Sequence, residues 1–223
     1  MKSYYSDTLS AENLKRCYDI APARVQQYLA AEIEHVRSRI RPEDQVLELG
    51  CGYGRVLAAL AGNAAWLVGI DISLASLHMA HNHVRECNNV FLCFMDAVNI
   101  GFKNANFDVV ICIQNGISAF HVDQHILINS AVSVTKPGGR VLFSSYAEEF
   151  WHDRLDWFRM QAAQGLLGEI DEQKTGSGVI VCKDGFRATT VTHEEFFRLT
   201  ERLGKKVLIE KVDDSSIFCE IIV

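Results

Sequence analysis

The sequence contains few prolines and no long apolar segment. Its 223 residues include only three prolines, Pro22, Pro42 and Pro137. No run of eighteen or more apolar residues is present, and the first residues lack the apolar stretch and small-residue cleavage site of a signal peptide. The sequence therefore predicts neither a membrane span nor a signal peptide, and we expect a cytoplasmic protein.

The sequence also lacks a basic block. Lysine and arginine together number 22 against 28 aspartates and glutamates, which gives a net charge of −6, and the densest basic cluster is Lys205-Lys206. Electrostatics therefore disfavour nucleic acid and anionic membranes as partners and favour a small-molecule substrate. The composition leaves the oligomeric state undetermined.

Patterns typical of metal sites and disulfide frameworks are missing as well. The seven cysteines form no Cys-x-x-Cys pair, and several lie in apolar runs such as VVICIQ and FLCFMD. This pattern predicts buried, reduced thiols. His121 and His125 share one helical face but have no third ligand in the sequence, so we predict no metal site.

Short apolar runs alternate with amphipathic stretches from Gln45 onward, which is typical of a parallel sheet covered on both faces. Seven such runs predict an α/β, Rossmann-like fold with a seven-stranded, mostly parallel sheet and helices on both faces. A small antiparallel insertion of three short strands is predicted before the last helix, which a capping box of Thr192 and Glu195 opens.

No linker composition divides the chain, so we predict one domain over residues 1–223. Helical spacing of apolar residues over about Ala11 to Arg39 predicts a single helical stretch near the N-terminus. The parts of the domain are then an N-terminal helical lid at 1–41, a ligand-binding core at 45–147, a substrate-side insertion at 148–191, and a final helix and strands at 192–223.

A glycine-rich turn, VLELGCGYG over 46–54, lies between the first strand and the following helix. Glycines there allow unusual backbone dihedrals and let a ligand approach closely, although such a turn alone is weak evidence. Three acids stand at three successive strand ends, where a carboxylate at Glu48 suits an ammonium group, one at Asp71 suits ribose hydroxyls, and one at Asp96 suits an adenine amino group. Each acid alone is explained as well by a helix cap or a solvated loop, but together they indicate one site.

Five ordered motifs make residues 45–147 resemble the class I S-adenosylmethionine-dependent methyltransferase family. They are VLELGCGYG, GIDIS, MDA, FDVVICIQNGISAF and KPGGRVLFSSY. The resemblance implies S-adenosyl-L-methionine as cofactor and a set of contacts to it: Glu48, Gly50 and Gly52 around the methionine moiety, Asp71 and Ile72 at the ribose, Asp96 and Ala97 at the adenine, and Gln114 near the reacting methyl.

The same resemblance implies that residues 115–121 line the substrate side and that the N-terminal helix closes over the cofactor. Tyr18 and Arg24 are then candidate contacts for the cofactor carboxylate. Aromatic residues follow the fifth motif, among them Tyr146, Trp157 and Phe158. We expect them either to line the substrate site or to pack in the core.

The expected activity is methyl transfer to an oxygen, nitrogen or sulfur atom of a small molecule by in-line displacement. Alignment of the two reactants supplies much of the rate acceleration, so no catalytic residue is obligatory. His121 is the candidate general base for an acceptor that must lose a proton. The Asn/Asp-Pro-Pro-aromatic loop of amino-methylating nucleic-acid enzymes is absent from the fourth motif.

Two other classes of protein share parts of this pattern. An NAD(P)-dependent oxidoreductase requires glycine or alanine at the sixth position of its glycine fingerprint, where this chain has Arg55. A non-catalytic S-adenosylmethionine-binding sensor or activating partner would keep every cofactor motif, so only a turnover assay separates it from an enzyme.

We expect S-adenosylhomocysteine to stabilise the protein and NAD or NADP to leave it unchanged. A ligand at a hundred times its dissociation constant contributes about 2.7 kcal/mol to native stability, which for a chain of this size raises the unfolding midpoint by about 5 to 11 °C. Thermal unfolding with each ligand measures this. A larger shift with a nicotinamide cofactor would reject the methyltransferase interpretation.

Overall fold

A computed structural model of the protein describes residues 11–223, which fold around a mixed β-sheet. Seven strands form this main sheet, in the order β3-β2-β1-β4-β5-β9-β8, and two more form a separate hairpin. The strands are β1 (Gln45–Leu49), β2 (Trp66–Asp71), β3 (Val90–Phe94), β4 (Phe107–Cys112), β5 (Thr135–Tyr146), β6 (Ile180–Val181), β7 (Arg187–Ala188), β8 (Lys206–Val212) and β9 (Ser216–Ile222).

The first five strands pair in parallel, whereas β9 is antiparallel to both β5 and β8. The predicted seven-stranded, mostly parallel sheet is therefore confirmed. The helices that accompany it are α1 (Ala11–Asp19), α2 (Ala23–Arg37), α3 (Arg55–Leu60), α4 (Leu74–His83), α5 (Gly116–Ala119), α6 (Gln124–Val134), α7 (Trp151–Ala163) and α8 (His193–Thr200).

Both faces of the sheet are buried, because successive side chains of a strand point to opposite sides. On β5, Leu142 packs in the cluster that includes residues of α2 and α3, while Phe143 packs in the cluster that includes residues of α6 and α8. This burial explains why the central strands are almost continuously apolar. No helix within residues 11–223 is both long and apolar enough to cross a membrane.

The N-terminal helical stretch is two helices rather than one. Pro22 lies between them at the N-cap of α2, and its backbone N has no hydrogen to donate to a preceding helical turn. The prediction of a single stretch from Ala11 to Arg39 is therefore wrong at Pro22. Residues 1–10 of the predicted lid lie outside the described residues.

The insertion between α7 and α8 is antiparallel, as predicted, but it contains two short strands rather than three. Only β6 and β7 pair as strands, and isolated bridges join Ile170 to Cys182 and Gly176 to Val179. The hydroxyl of Thr175 accepts a hydrogen bond from the backbone N–H of Val181 at 3.0 Å. Turns and this side chain thus satisfy backbone groups that a third strand would otherwise pair.

A buried carboxylate joins α2 to the sheet. Glu32 is fully buried, one of its oxygens accepts a hydrogen bond from the Ser216 hydroxyl at 2.7 Å, and the other accepts one from the backbone N–H of Gln114 at 2.7 Å. No lysine, arginine or histidine within residues 11–223 forms an ion pair with it. Burial raises the pKa of Glu32 to about 7, although its hydrogen bonds oppose the shift.

Glu32→Gln should reduce the pH dependence of folding stability. Because the pKa of Glu32 is raised in the native state, its protonated form stabilises the fold below pH 4.5, and this contribution is lost as the pH rises through 7. We expect the free energy of unfolding to fall between pH 5 and pH 8 by up to about 3 kcal/mol more in the wild type than in the variant. Denaturant titrations at the two pH values measure it.

Glu34→Gln is the matched control, because Glu34 lies on the same helix but is exposed and pairs only with Arg37 at the surface. It should leave the wild-type pH dependence intact. Equal pH slopes for the wild type and Glu32→Gln would contradict the assignment.

Candidate active site

A cavity of about 260 Å³ opens at the carboxyl ends of the parallel strands, beside the point where the strand order reverses between β1 and β4. Ligands of open α/β sheets bind at this place, because the connections leave β1 and β4 toward opposite faces and a crevice remains between them. Residues of β1, β2 and β5, the segments after β3 and β4, helices α1 and α7, and the hairpin line the cavity.

The glycine-rich turn forms one wall of the cavity. Gly50, Gly52 and Gly54 all have positive φ angles, of 72°, 53° and 84°. A β-carbon on Gly50 would lie 2.4 Å from the ring of Phe120, so the turn has no room for a side chain there. The backbone N–H groups of Gly50 and Cys51 donate to the carbonyl of Ile70, at 2.8 and 3.0 Å, which fixes the turn against β2.

Asp71 faces the turn from the end of β2. Its Oδ2 accepts a hydrogen bond from the Gly52 N–H at 2.9 Å and its Oδ1 accepts one from the Ser73 N–H at 2.8 Å. The capping of α4 belongs to Ser73, whose hydroxyl accepts from the Ser76 N–H. Asp71 is thus oriented by two backbone groups, and each carboxylate oxygen keeps a lone pair for a ligand hydroxyl.

Glu48 and Arg55 both line the cavity with unsatisfied polar atoms. Glu48 Oε2, Arg55 Nε and Arg55 Nη2 are buried without a hydrogen-bond partner in the described part of the chain, and the two side chains form no ion pair with each other there. The Arg55 guanidinium lies over the ring of Tyr18, 4.7 Å from its centroid. Burial raises the pKa of Glu48 to about 8, against the opposing effect of Arg55.

A carboxyl group and a guanidinium group that both have buried atoms without hydrogen-bond partners suit the zwitterionic end of an amino acid. Leaving such groups buried and unpaired costs free energy, which a ligand ammonium at Glu48 and a ligand carboxylate at Arg55 would recover. Sequence reasoning missed Arg55 as a contact, because it treated the residue only as a departure from the dinucleotide fingerprint. The motif does not indicate that the side chain of Arg55 points toward the cavity.

The remaining predicted cofactor contacts lie toward the mouth of the same cavity. Ile72 is 50% exposed, Ala97 is buried, and Asp96 is exposed with Oδ1 accepting from the Val98 N–H at 3.0 Å. All three line the cavity together with Asp71. The structure therefore brings the predicted strand-end residues into one site.

Gln114 follows β4 in a strained backbone conformation. Gln114 and Asn115 both have left-handed φ angles, of 56° and 63°, which cost non-glycine residues free energy and persist only where neighbouring groups hold them. The Gln114 N–H donates to Glu32 and to the Ser144 hydroxyl, at 2.7 and 2.8 Å. The Tyr18 hydroxyl donates to Gln114 Oε1 at 3.2 Å, and Gln114 Nε2 is buried without a partner among the described residues.

Other predicted site residues lie elsewhere. His121 is exposed and is not among the residues that line the cavity, so the geometry does not support a role as general base. Arg24 pairs with Asp213 at 2.6 Å, away from the cavity, whereas Tyr18 lines it. In residues 11–223 no three histidine, cysteine, aspartate or glutamate side chains lie together in a metal-binding arrangement.

Residues 46–139 match a family model described as "Methyltransferase domain". The ubiquinone biosynthesis O-methyltransferase of Idiomarina loihiensis is 31% identical over 104 residues, which cover 45% of this chain and 42% of that protein. The enzyme of the same name from Colwellia psychrerythraea is 31% identical over 140 residues, 60% of this chain and 56% of that protein. The chain thus spans about half the length of these curated relatives.

Solved structures agree with the fold. The PH0226 protein of Pyrococcus horikoshii superposes with a TM-score of 0.68 at 20% identity, over 100% of this chain and 99% of that one. A structure described as the DhpI-SAM-HEP complex superposes with a TM-score of 0.65 at 21% identity, over 99% and 94% of the two chains. At these identities the likeness shows the fold alone.

Sheet order, cavity position and motif sequence define a Rossmann-like methyltransferase domain at residues 46–139. The resemblance of residues 46–139 to the class I S-adenosylmethionine-dependent methyltransferases, which the five motifs predicted, is confirmed by this match, and the cofactor of those enzymes is S-adenosylmethionine. The buried, unpartnered atoms of Glu48 and Arg55 fit the amino-acid end of this cofactor.

Binding of S-adenosylhomocysteine should release a proton from Glu48. With its pKa near 8 in the free protein, Glu48 is largely protonated at pH 7 and must ionise to pair with the ligand ammonium. Calorimetry at pH 7 in phosphate and in Tris should therefore show about one proton released per binding event. The isosteric variant Glu48→Gln should release none, and identical heats for the wild type in both buffers would contradict the assignment.

Proposed function

We propose that the protein transfers a methyl group from S-adenosylmethionine to an oxygen, nitrogen or sulfur atom of a small-molecule acceptor, by in-line displacement. The observation that carries the proposal is the pair of unpartnered groups, Glu48 and Arg55, in the same cavity as the oriented carboxylate of Asp71. These groups complement an amino acid and a ribose diol, which S-adenosylmethionine joins in one molecule.

The cofactor contacts follow from the positions of these groups. Glu48 binds the ammonium group, Arg55 binds the carboxylate, and the methionine moiety lies beside the glycine turn at Gly50 and Gly52. Asp71 accepts hydrogen bonds from the ribose hydroxyls. Ile72 lies beside the ribose, and Asp96 and Ala97 hold the adenine at the mouth of the cavity, where Asp96 offers a hydrogen-bond acceptor.

When bound, the cofactor supplies a methyl group on a positively charged sulfur. The protein aligns the two reactants, since their positioning supplies much of the rate acceleration of such a displacement. Gln114 is suited to this task, because Glu32 and Ser144 hold its backbone and Tyr18 holds its side chain. Helix α1, which carries Tyr18, lines the cavity beside Gln114.

The curated relatives favour a small acceptor, because they are named as O-methyltransferases of ubiquinone biosynthesis. They match this chain mainly in the cofactor-binding region. The lining residues outside 46–139 come from α1, the end of β5, α7 and the hairpin, which the family model does not match. For this reason we carry over the reaction type but not the relatives' substrate.

A turnover assay with radiolabelled S-adenosylmethionine and a panel of phenols, amines and thiols tests the proposal. We expect at least one acceptor to be methylated, and Asp71→Ala to weaken S-adenosylhomocysteine binding by about 10- to 150-fold, because a charge-assisted acceptor contributes about 1.5 to 3 kcal/mol. Asp156→Ala is the control, since Asp156 is exposed on α7 away from the cavity. Tight binding without transfer to any acceptor would instead favour a non-catalytic sensor.

A further inference from the structure

Six side chains line the end of the cavity that the proposed cofactor contacts leave open, and we call this end the acceptor chamber. They come from α1, the end of β5, α7 and the hairpin, and all lie outside the matched methyltransferase domain: Tyr18, Tyr146, Trp157, Gln161, Phe158 and Phe186. Five of the six are aromatic.

The aromatic rings of the chamber contact one another in a series of pairs. Tyr18 and Trp157 lie 6.0 Å apart between centroids, Trp157 and Phe158 meet edge to face at 5.9 Å, and Phe158 stacks with Phe186 at 6.2 Å. The Trp157 N–H donates to the carbonyl of Cys17 at 2.9 Å, which fixes the indole against α1. Such rigid rings offer flat apolar surfaces that favour a planar ligand.

No charged side chain belongs to the acceptor chamber as defined. The charged residues that line the cavity, Glu48, Arg55, Asp71 and Asp96, are those assigned to the cofactor. Among residues 11–223, a charged acceptor would therefore find no side chain of opposite charge in the lining of the chamber itself, which is unfavourable.

Arg154 adds a bias against cations. This residue is buried, and its guanidinium lies 4.4 Å from the ring centroid of Tyr146 and 5.4 Å from that of Phe158. The guanidinium already occupies ring faces that would otherwise attract a cationic ligand.

Gln161 is the polar group of the chamber best placed to orient a ligand. It is only 4% exposed, it lines the cavity, and its side-chain amide makes no hydrogen bond to any residue in 11–223. A buried amide needs partners, and this one offers both a donor and an acceptor to a ligand.

The geometry points to an uncharged, planar acceptor, an aromatic or heteroaromatic ring that lies among these aromatic side chains and is oriented by a hydrogen bond to Gln161. This inference rests on the proposed function and adds the substrate class to it. In the transfer, a lone pair of the acceptor's nucleophilic atom forms a bond to the methyl carbon, the carbon–sulfur bond breaks, and its electron pair stays on sulfur. The proton of the acceptor passes to water, because no carboxylate or imidazole belongs to the chamber.

Binding of single-ring probes to the protein saturated with S-adenosylhomocysteine tests the inference. The probes are 4-methylphenol, which is uncharged and planar, benzylamine, benzoate, and the non-planar cyclohexanol. We expect 4-methylphenol to bind at least about tenfold more tightly than either charged probe, and more tightly than cyclohexanol, as ligand-observed NMR titrations would measure. Equal or tighter binding of benzylamine or benzoate would overturn the inference.

Two variants of Gln161 make the test specific to the chamber. Gln161→Leu should weaken 4-methylphenol binding several-fold, and Gln161→Glu should shift the preference toward benzylamine. Gln164→Ala is the matched control, since Gln164 lies one turn further along and is exposed. An unchanged ranking of the probes in Gln161→Glu would show that this side chain does not face the ligand and would overturn its role.

The affinity for S-adenosylhomocysteine separates this inference from the proposed function. Each Gln161 variant should keep the wild-type affinity for it, which also shows that the variant is folded. Failure of the wild type to bind S-adenosylhomocysteine would refute the proposed function. Normal binding combined with a preference for charged probes would refute only the substrate class.

Discussion

The reversal of strand order between β1 and β4 is the constraint on which the rest of this structure depends. Connections leave these two strands toward opposite faces of the sheet, so their carboxyl ends cannot be covered by the same helix. The crevice that remains collects the residues at the strand ends. Glu48, Asp71 and Gln114 are distant in sequence but line one cavity for this reason.

Several polar groups in this crevice are buried without hydrogen-bond partners among the described residues, and two residues of its lining have strained backbones. Glu48 and Arg55 interact electrostatically, but several of their buried polar atoms have no hydrogen-bond partner within residues 11–223. Gln114 and Asn115 both have left-handed backbone conformations. Natural sequences break local rules of this kind mainly at functional sites. The rest of the structure supports the strain, because Glu32, Ser144 and Ser145 bind the backbone or side chains of the two residues.

The two ends of the cavity have different origins in the chain. In our proposal the cofactor end is lined by the strand ends and turns of residues 46–139, and the acceptor end by α1, α7 and the hairpin. When the cofactor site and the acceptor site come from different segments of the chain, proteins that share one cofactor site can bind different acceptors. Asn115 connects the two ends, since its side chain accepts from Ser145 and donates to the carbonyl of Thr189.

Local sequence patterns predicted the seven strands, their alternation with helices, and the strand-end positions of Glu48, Asp71 and Asp96, because these follow from local periodicity and from glycines at one turn. Packing between distant segments sets which side chains face the cavity. It turned Arg55 and Gln161 toward it, left His121 outside, and buried Glu32 against Gln114, 82 residues away. These are contacts between segments far apart in the chain, and a side chain's direction depends on the packing of both segments, which local patterns do not encode.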